Sequence, residues 1–221
     1  MPIPSPLKDG FRRFRADKFE KKQREWRELA KGQTPHALII GCADSRVDPG
    51  AIFDAGPGEL FVVRNVANLV PPYEPDGAHH GVSAALEFAV KALKVGHIVV
   101  LGHKSCGGVH AAATGGAAGT EFLERWIDPL VPVRAEAIAE LGETDDATLS
   151  DDMELRSVRH SIGRLMGFPF VADAVKSGAL TLHGARFGIA DGDLEWLQAD
   201  GTFRSVSAEL DNEQASRTHT P

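Results

Sequence analysis

GVSAALEFAVKALKVGHIVVLGHKSCGG, residues 81–108, changes its hydrophobic period part-way along. Its first half carries apolar residues at helical intervals, rich in Ala and Leu, and the pattern predicts a helix ending at Gly96. The second half, HIVVLG, is a β-branched run ending in glycine, as expected of a buried strand that feeds a loop. Two upstream runs, HALIIG (36–41) and ELFVVRN (59–65), have the same character. Strand, helix and strand in succession require a parallel pairing with a crossover connection, which defines an α/β domain with a central, mostly parallel sheet flanked by helices.

Further along, EFLERWIDPLVPVRAEAIAEL (121–141) and DMELRSVRHSIGRLMGF (152–168) predict helices, the first bent or divided by Pro129 and Pro132. ALTLHGARFGI (179–189) predicts a strand, and Asp191-Gly192 a turn before DLEWLQ. No fixed-period repeat and no separating linker occurs. The expected organisation is an N-terminal helical arm over 1–35, one α/β catalytic domain over 36–204, and a polar, frayed tail over 205–221.

With 221 residues and 43% hydrophobic content the chain is long enough to bury a sizeable core. The net charge of −7 is uneven. Lys8–Lys31 holds ten Lys/Arg against five Asp/Glu, leaving about −12 on the remainder. Acids are interleaved in that segment, and Phe11, Phe14, Phe19, Trp26 and Leu29 recur at roughly helical spacing. This favours a helix packed on its own body or on a partner subunit over one bound to nucleic acid or membrane. No run of eighteen apolar residues and no secretory signal pattern is present, so the default expectation is a cytoplasmic protein. The glycine-rich segments ATGGAAGTE and GHKSCGGVH lack the spacing of a dinucleotide or phosphate loop.

Chemistry concentrates in two places. GCADSRVDPG (41–50) puts Cys42, Asp44 and Arg46 directly after one strand, and His103 and Cys106 directly follow another. In open parallel sheets binding sites collect at the carboxyl ends of strands, so two strand ends can bring these residues together. Taken singly, a free cysteine is commonly a small buried hydrophobe and a histidine a hydrogen-bonded polar residue. Together, Cys42, His103 and Cys106 make a zinc-ligand inventory with the fourth tetrahedral position open. Asp44 can accept a hydrogen bond from a group at that position or occupy it, with Arg46 holding the carboxylate ionised. His79, His80, His97, His110 and His160 have no such company; His79 and His80 are candidates for a proton shuttle.

Cys42-Ala43-Asp44-Ser45-Arg46 and His103-Lys104-Ser105-Cys106-Gly107-Gly108, with FVVRNVANLV between them, GVSAALEFAV before the second and LHGARFGIADGDL afterwards, resemble the β-class carbonic anhydrases. The resemblance spans roughly Phe19 to Leu197. It implies that Cys42, His103 and Cys106 bind one Zn²⁺ and that Asp44 and Arg46 form the family's dyad. It also implies reversible hydration of carbon dioxide to bicarbonate and a proton by hydroxide formed on zinc, chemistry for which carbonic anhydrase is itself the type example. Gln33 matches a position that donates to substrate or a bound anion. Val47, Phe61 and Val66 match the lining of a narrow apolar pocket, and Gly107 and Gly108 open a helix whose N–H groups favour thiolate or anion. The family assembles as dimers or larger multiples, so a homodimer or homotetramer is expected, with the arm on the partner.

One branch of the family carries an inhibitory bicarbonate site of tryptophan, arginine and tyrosine. The matching positions here are Ile39, Arg64 and Phe187, and loss of two donors predicts that this regulation is absent. Three rival readings are compatible with the same residues. They are a hydrolase of carbon disulfide or carbonyl sulfide with the same ligands, a non-catalytic zinc-stabilised interaction protein, and a thiol redox protein, the last disfavoured because the cysteines are not a Cys-x-x-Cys pair.

Overall fold

Leu38, Ile39 and Ile40 are apolar without alternation, and Ala37–Cys42 is buried at every residue, as a strand covered on both faces must be. In the computed structural model, which describes residues 1–218, this strand, β1, lies inside a six-stranded sheet. The other strands are β2 (Leu60–Asn65), β3 (His97–His103), β4 (Thr181–Phe187), β5 (Leu194–Leu197) and β6 (Phe203–Ser205). Their order is β2-β1-β3-β4-β5-β6. The first four in that order are parallel, with Ile40 opposite both Val63 and Val100, and the last two are antiparallel additions. The chain therefore leaves β1 toward β2 on one side and finds β3 on the other, which opens a crevice at their carboxyl ends.

Among the described residues ten α-helices accompany the sheet. They are α1 (Ser5–Arg13), α2 (Gln23–Leu29), α3 (Pro49–Ile52), α4 (Gly81–Glu87), α5 (Gly107–Thr114), α6 (Leu123–Ile127), α7 (Val131–Leu141), α8 (Asp146–Leu165), α9 (Pro169–Lys176) and α10 (Val206–Thr218). On one face Leu38, Ile40, Ile98 and Val100 pack with Leu86 of α4, Val158 and Leu165 of α8 and Val171 of α9. On the other, Ile39, Val99, Leu101 and Ala185 meet Phe53, Leu60 and Trp196. Helix α8 crosses close to β3 and β4 because Gly102 and Gly184 carry no side chain; a Cβ there would lie 2.8 and 2.7 Å from Val158 and Ile162 atoms. Among the described residues no helix is long and apolar enough to cross a membrane.

The prolines divide residues 121–141 as expected: a 3₁₀ turn over Asp128–Leu130 separates α6 from α7. Three expectations are corrected. The helix of residues 81–96 does not run to Gly96. After α4 it widens into a π turn and stops at Lys94, whose φ is 56°, so that Val95 can enter the core at 3% exposure. Residues 152–165 belong to a longer helix, which starts at Asp146 because the Asp145 side chain accepts the Thr148 N–H at 2.7 Å; Met166 caps its end, and Gly167 and Phe168 lie beyond it. The expected frayed tail is helical over Val206–Thr218, where Ser205 Oγ accepts the Ala208 N–H at 3.1 Å; positions 219–221 lie outside the described residues. The N-terminal arm is helical as expected, with no buried residue in α1 or α2, and Phe14, Phe19 and Trp26 pack on one another.

Candidate metal centre

At the carboxyl end of β1 stands Cys42; at that of β3 stands His103, with Cys106 three residues on at the N-cap of α5. All three are buried, and their ligand atoms lie within 4.8 Å of one another, making the one such group of His, Cys, Asp or Glu among the described residues. The sulfurs are 3.8 Å apart, within hydrogen-bond distance and not joined in a disulfide. His103 Nδ1–H donates to the Lys104 carbonyl at 3.0 Å, since a carbonyl can only accept, and this fixes the tautomer that leaves the Nε2 lone pair free. That Nε2 is buried without a hydrogen-bond partner. A buried acceptor facing two thiols has the donor chemistry of a borderline metal ion, so the residues fit zinc.

The electrostatics agree. Cys42 is lowered to about 4, chiefly by the hydrogen bond from Cys106, with help from His103 and the N–H groups of Asp44 and Ala67 against the opposing effect of burial. Cys106 is pushed up as the donor of that bond and by burial, while the Gly108 and Val109 N–H groups of α5 pull it back. Of the two thiols, Cys42 is therefore the readier to ionise and Cys106 the one that keeps its proton. Burial pulls His103 down, but the Cys42 sulfur and the Lys104 carbonyl outweigh it and leave its pKa raised.

Asp44 Oδ2 lies 3.9 Å from His103 Nε2. Arg46 grips the carboxylate three times, from Nε to Oδ1 at 3.0 Å, from Nη2 to Oδ2 at 2.7 Å and from its backbone N–H to Oδ1 at 2.9 Å. Those side-chain bonds hold the Asp44 carboxyl far below the usual carboxylate range. Arg46 Nη2 also donates to the Ser105 carbonyl at 3.1 Å, tying the β1 end to the β3 end.

The remaining expected residues divide. Val47 is 3% exposed in the same apolar cluster as both cysteines. Val66 is exposed and abuts Gly108, where a Cβ would come within 2.6 Å of Val66 Cγ1, so this approach requires glycine. Gly107 meets no such neighbour. Phe61 packs on Phe88 against the helix-covered core, and its partner in register is Leu38, four residues before Cys42. Gln33 is exposed in a groove between the arm and the body, shared with Trp26, Asp48 and Val62. Neither joins the cluster: strand register carries Phe61 away from it, and the loop before β1 carries Gln33 away. Arg64 is engaged by backbone, donating from Nε to the Cys42 carbonyl at 2.8 Å and from Nη2 to that of Asp44. His80 bonds Asp76 at 2.8 Å, and His110 bonds Ser150 at 2.9 Å.

Sequence reasoning missed Glu154 and Arg186. Glu154, on α8, is 3% exposed; Oε1 accepts the Cys106 N–H at 2.9 Å, and Oε2 faces Arg186 Nη1 at 3.3 Å. Burial raises the Glu154 pKa against those two contacts. The available signal was position, since Glu154 sits on the stripe of α8 that buries Leu149, Met153, Ser157 and Val158.

The carbonic anhydrase family profile matches residues 37–194. Beta carbonic anhydrase 3 of Arabidopsis thaliana is 35% identical over 206 residues, spanning 91% of this chain and 79% of that protein. The solved β-carbonic anhydrase CcaA superposes with a TM-score of 0.85 at 28% identity, over 90% of this chain and 98% of that one. A tetrameric β-carbonic anhydrase from the filamentous ascomycete Sordaria macrospora gives 0.78 at 33%, over 90% and 96%. The chain belongs to the carbonic anhydrase family, within its β class, and is an enzyme of that family.

Proposed function

We propose that this enzyme catalyses the reversible hydration of carbon dioxide to bicarbonate and a proton at a zinc ion held by Cys42, His103 and Cys106. The observation that carries the reading is the buried thiol–imidazole–thiol triangle with the Asp44 carboxylate beside it. When bound there, zinc supplies a Lewis acid that acidifies water into the nucleophile, and two thiolates balance its formal charge. The chain's own residues do the rest. Asp44, held ionised by Arg46, has acceptors only, so an oxygen species next to it must present a proton to it; water and bicarbonate do so, and bare carbonate does not. Arg46, bonded also to Ser105, keeps that acceptor aimed at the triangle. Val47 and Val66 offer an apolar wall suited to carbon dioxide, which has neither charge nor dipole.

Assembly as a homodimer or homotetramer belongs to the same proposal. The arm exposes Leu7 and Phe11 at 67% and 60%, and similar enzymes include tetramers. Inhibition by bicarbonate at a second site is expected to be absent, because Ile39 and Phe187 carry no polar side-chain atom and the Arg64 guanidinium is already engaged.

Stopped-flow hydration of carbon dioxide by zinc-loaded protein at about pH 8.5 tests the reading. Proton release proportional to enzyme, rising toward alkaline pH because thiolate ligands acidify water less than neutral imidazoles do, is the expected result. No acceleration, or a profile flat from about pH 6 to 9, would contradict it.

A further inference from the structure

Helix α5 has Cys106 as its N-cap and carries Gly107, Gly108 and Val109 in its first turn. In a capping box, the residue at the position of Val109 is a Glu that reaches back to accept the N-cap N–H. Valine cannot do so, and the Cys106 N–H is instead accepted at 2.9 Å by Glu154 Oε1, from α8. The chain needs holding here, because Ser105 stands at φ 58°, a left-handed conformation that serine rarely adopts.

A carboxylate at 3% exposure is costly to bury, and pairing with Arg186 does not account for it. Arg186, 4% exposed on β4, already bonds Asp151 Oδ1 at 2.7 Å and Glu195 Oε2 at 2.6 Å, so its charge is met without Glu154. The contact that Glu154 alone supplies is the one to Cys106. We infer that Glu154 is a positioning residue for the metal centre. It fixes Cys106 by providing, from a different helix, the carboxylate that α5 lacks. This rests on the reading of Cys42, His103 and Cys106 as metal ligands.

Two conservative variants separate reach from charge. Glu154→Asp keeps the charge for Arg186 but withdraws the carboxylate by one methylene from the Cys106 N–H. Glu154→Gln keeps the reach, its carbonyl still able to accept that N–H, while Arg186 retains Asp151 and Glu195. Zinc-loaded proteins are challenged with excess chelator and the rate of zinc release is followed; cobalt-substituted proteins give the visible spectrum of the ligand set. Partners behind metal ligands typically change affinity by about 10–100-fold. Glu154→Asp is expected to release zinc at least about tenfold faster with shifted cobalt bands, and Glu154→Gln to stay within about threefold of wild type. A purely structural role would lower the melting temperature of the metal-free protein without moving the cobalt bands. Wild-type behaviour of Glu154→Asp, or equal losses in both variants, overturns the inference. If the aspartate variant does not fold, the glutamine variant decides, and release more than about tenfold faster overturns it. A wild-type protein that takes up no zinc or cobalt sinks the metal reading itself, which the metal content shows separately.

Discussion

At the ends of β1 and β3 each ligand side chain is buried and its backbone or ring is tied to a named partner. From Ser5 to Leu29, by contrast, no residue of α1 or α2 is buried, and the aromatic rings pack mainly on each other. The centre takes its rigidity from within one chain: Arg46 joins its two strand ends, and α8 braces α5. The arm has a basic excess and exposed apolar side chains, while the rest of the chain is acidic. A site can be made precise by a few buried polar contacts in a close-packed frame, whereas an amphipathic arm acquires a fixed place only by covering something.

The largest effect expected from breaking this contrast lies at the centre. His103→Ala removes a ligand and the orphaned acceptor together, so the protein should lose its metal and more than about a thousandfold of its hydration activity while the fold persists. Metal analysis beside circular dichroism checks this; full activity in a metal-free His103→Ala protein would detach the chemistry from the triangle. Asp44→Asn should retain metal and lose roughly 10²–10⁴-fold in rate, because the amide presents a donor where only acceptors stood. The sign of the pH dependence follows from Arg46. A folded-state pKa depressed far below the ordinary value means the wild-type carboxylate stays ionised throughout the assay range, and its stabilising contribution fades only as pH falls below that range. The deficit of Asp44→Asn should therefore be constant from about pH 6 to 9, and a deficit that vanishes at the acid end would show that Asp44 titrates there. The smallest effect is expected from the arm. Deleting residues 1–30 should lower the oligomeric state seen by light scattering and leave the metal content unchanged. An unchanged assembly would mean that the arm covers its own body.

The same contrast explains which parts were legible in the sequence. Ala37–Cys42 and His97–His103 are apolar runs that end beside glycine or a ligand, so both the parallel sheet and the meeting of Cys42, His103 and Cys106 could be read from them. Asp44 and Arg46 were legible because their interaction is local, two residues apart. Glu154 was not, because in sequence it is one of several charges between Asp151 and Arg156, and its partner is a backbone N–H 48 residues earlier. A bond to main chain leaves no complementary side chain to notice. Phe61 and Gln33 were assigned to the pocket by resemblance, but in one chain strand register sends the first into the core and the groove holds the second. Lys94 ends its helix in place of Gly96 because burying Val95 outweighs the cost of a left-handed lysine.

The proposed zinc centre, open and built by two strand ends from two thiolates and an imidazole, can be probed by X-ray absorption at the zinc edge of the loaded, wild-type protein. The expected shell has two sulfur neighbours at about 2.3 Å and two nitrogen or oxygen neighbours at about 2.0–2.2 Å, one of them the His103 ring and the other from outside the triangle. A shell without sulfur, or with a single sulfur, would contradict it.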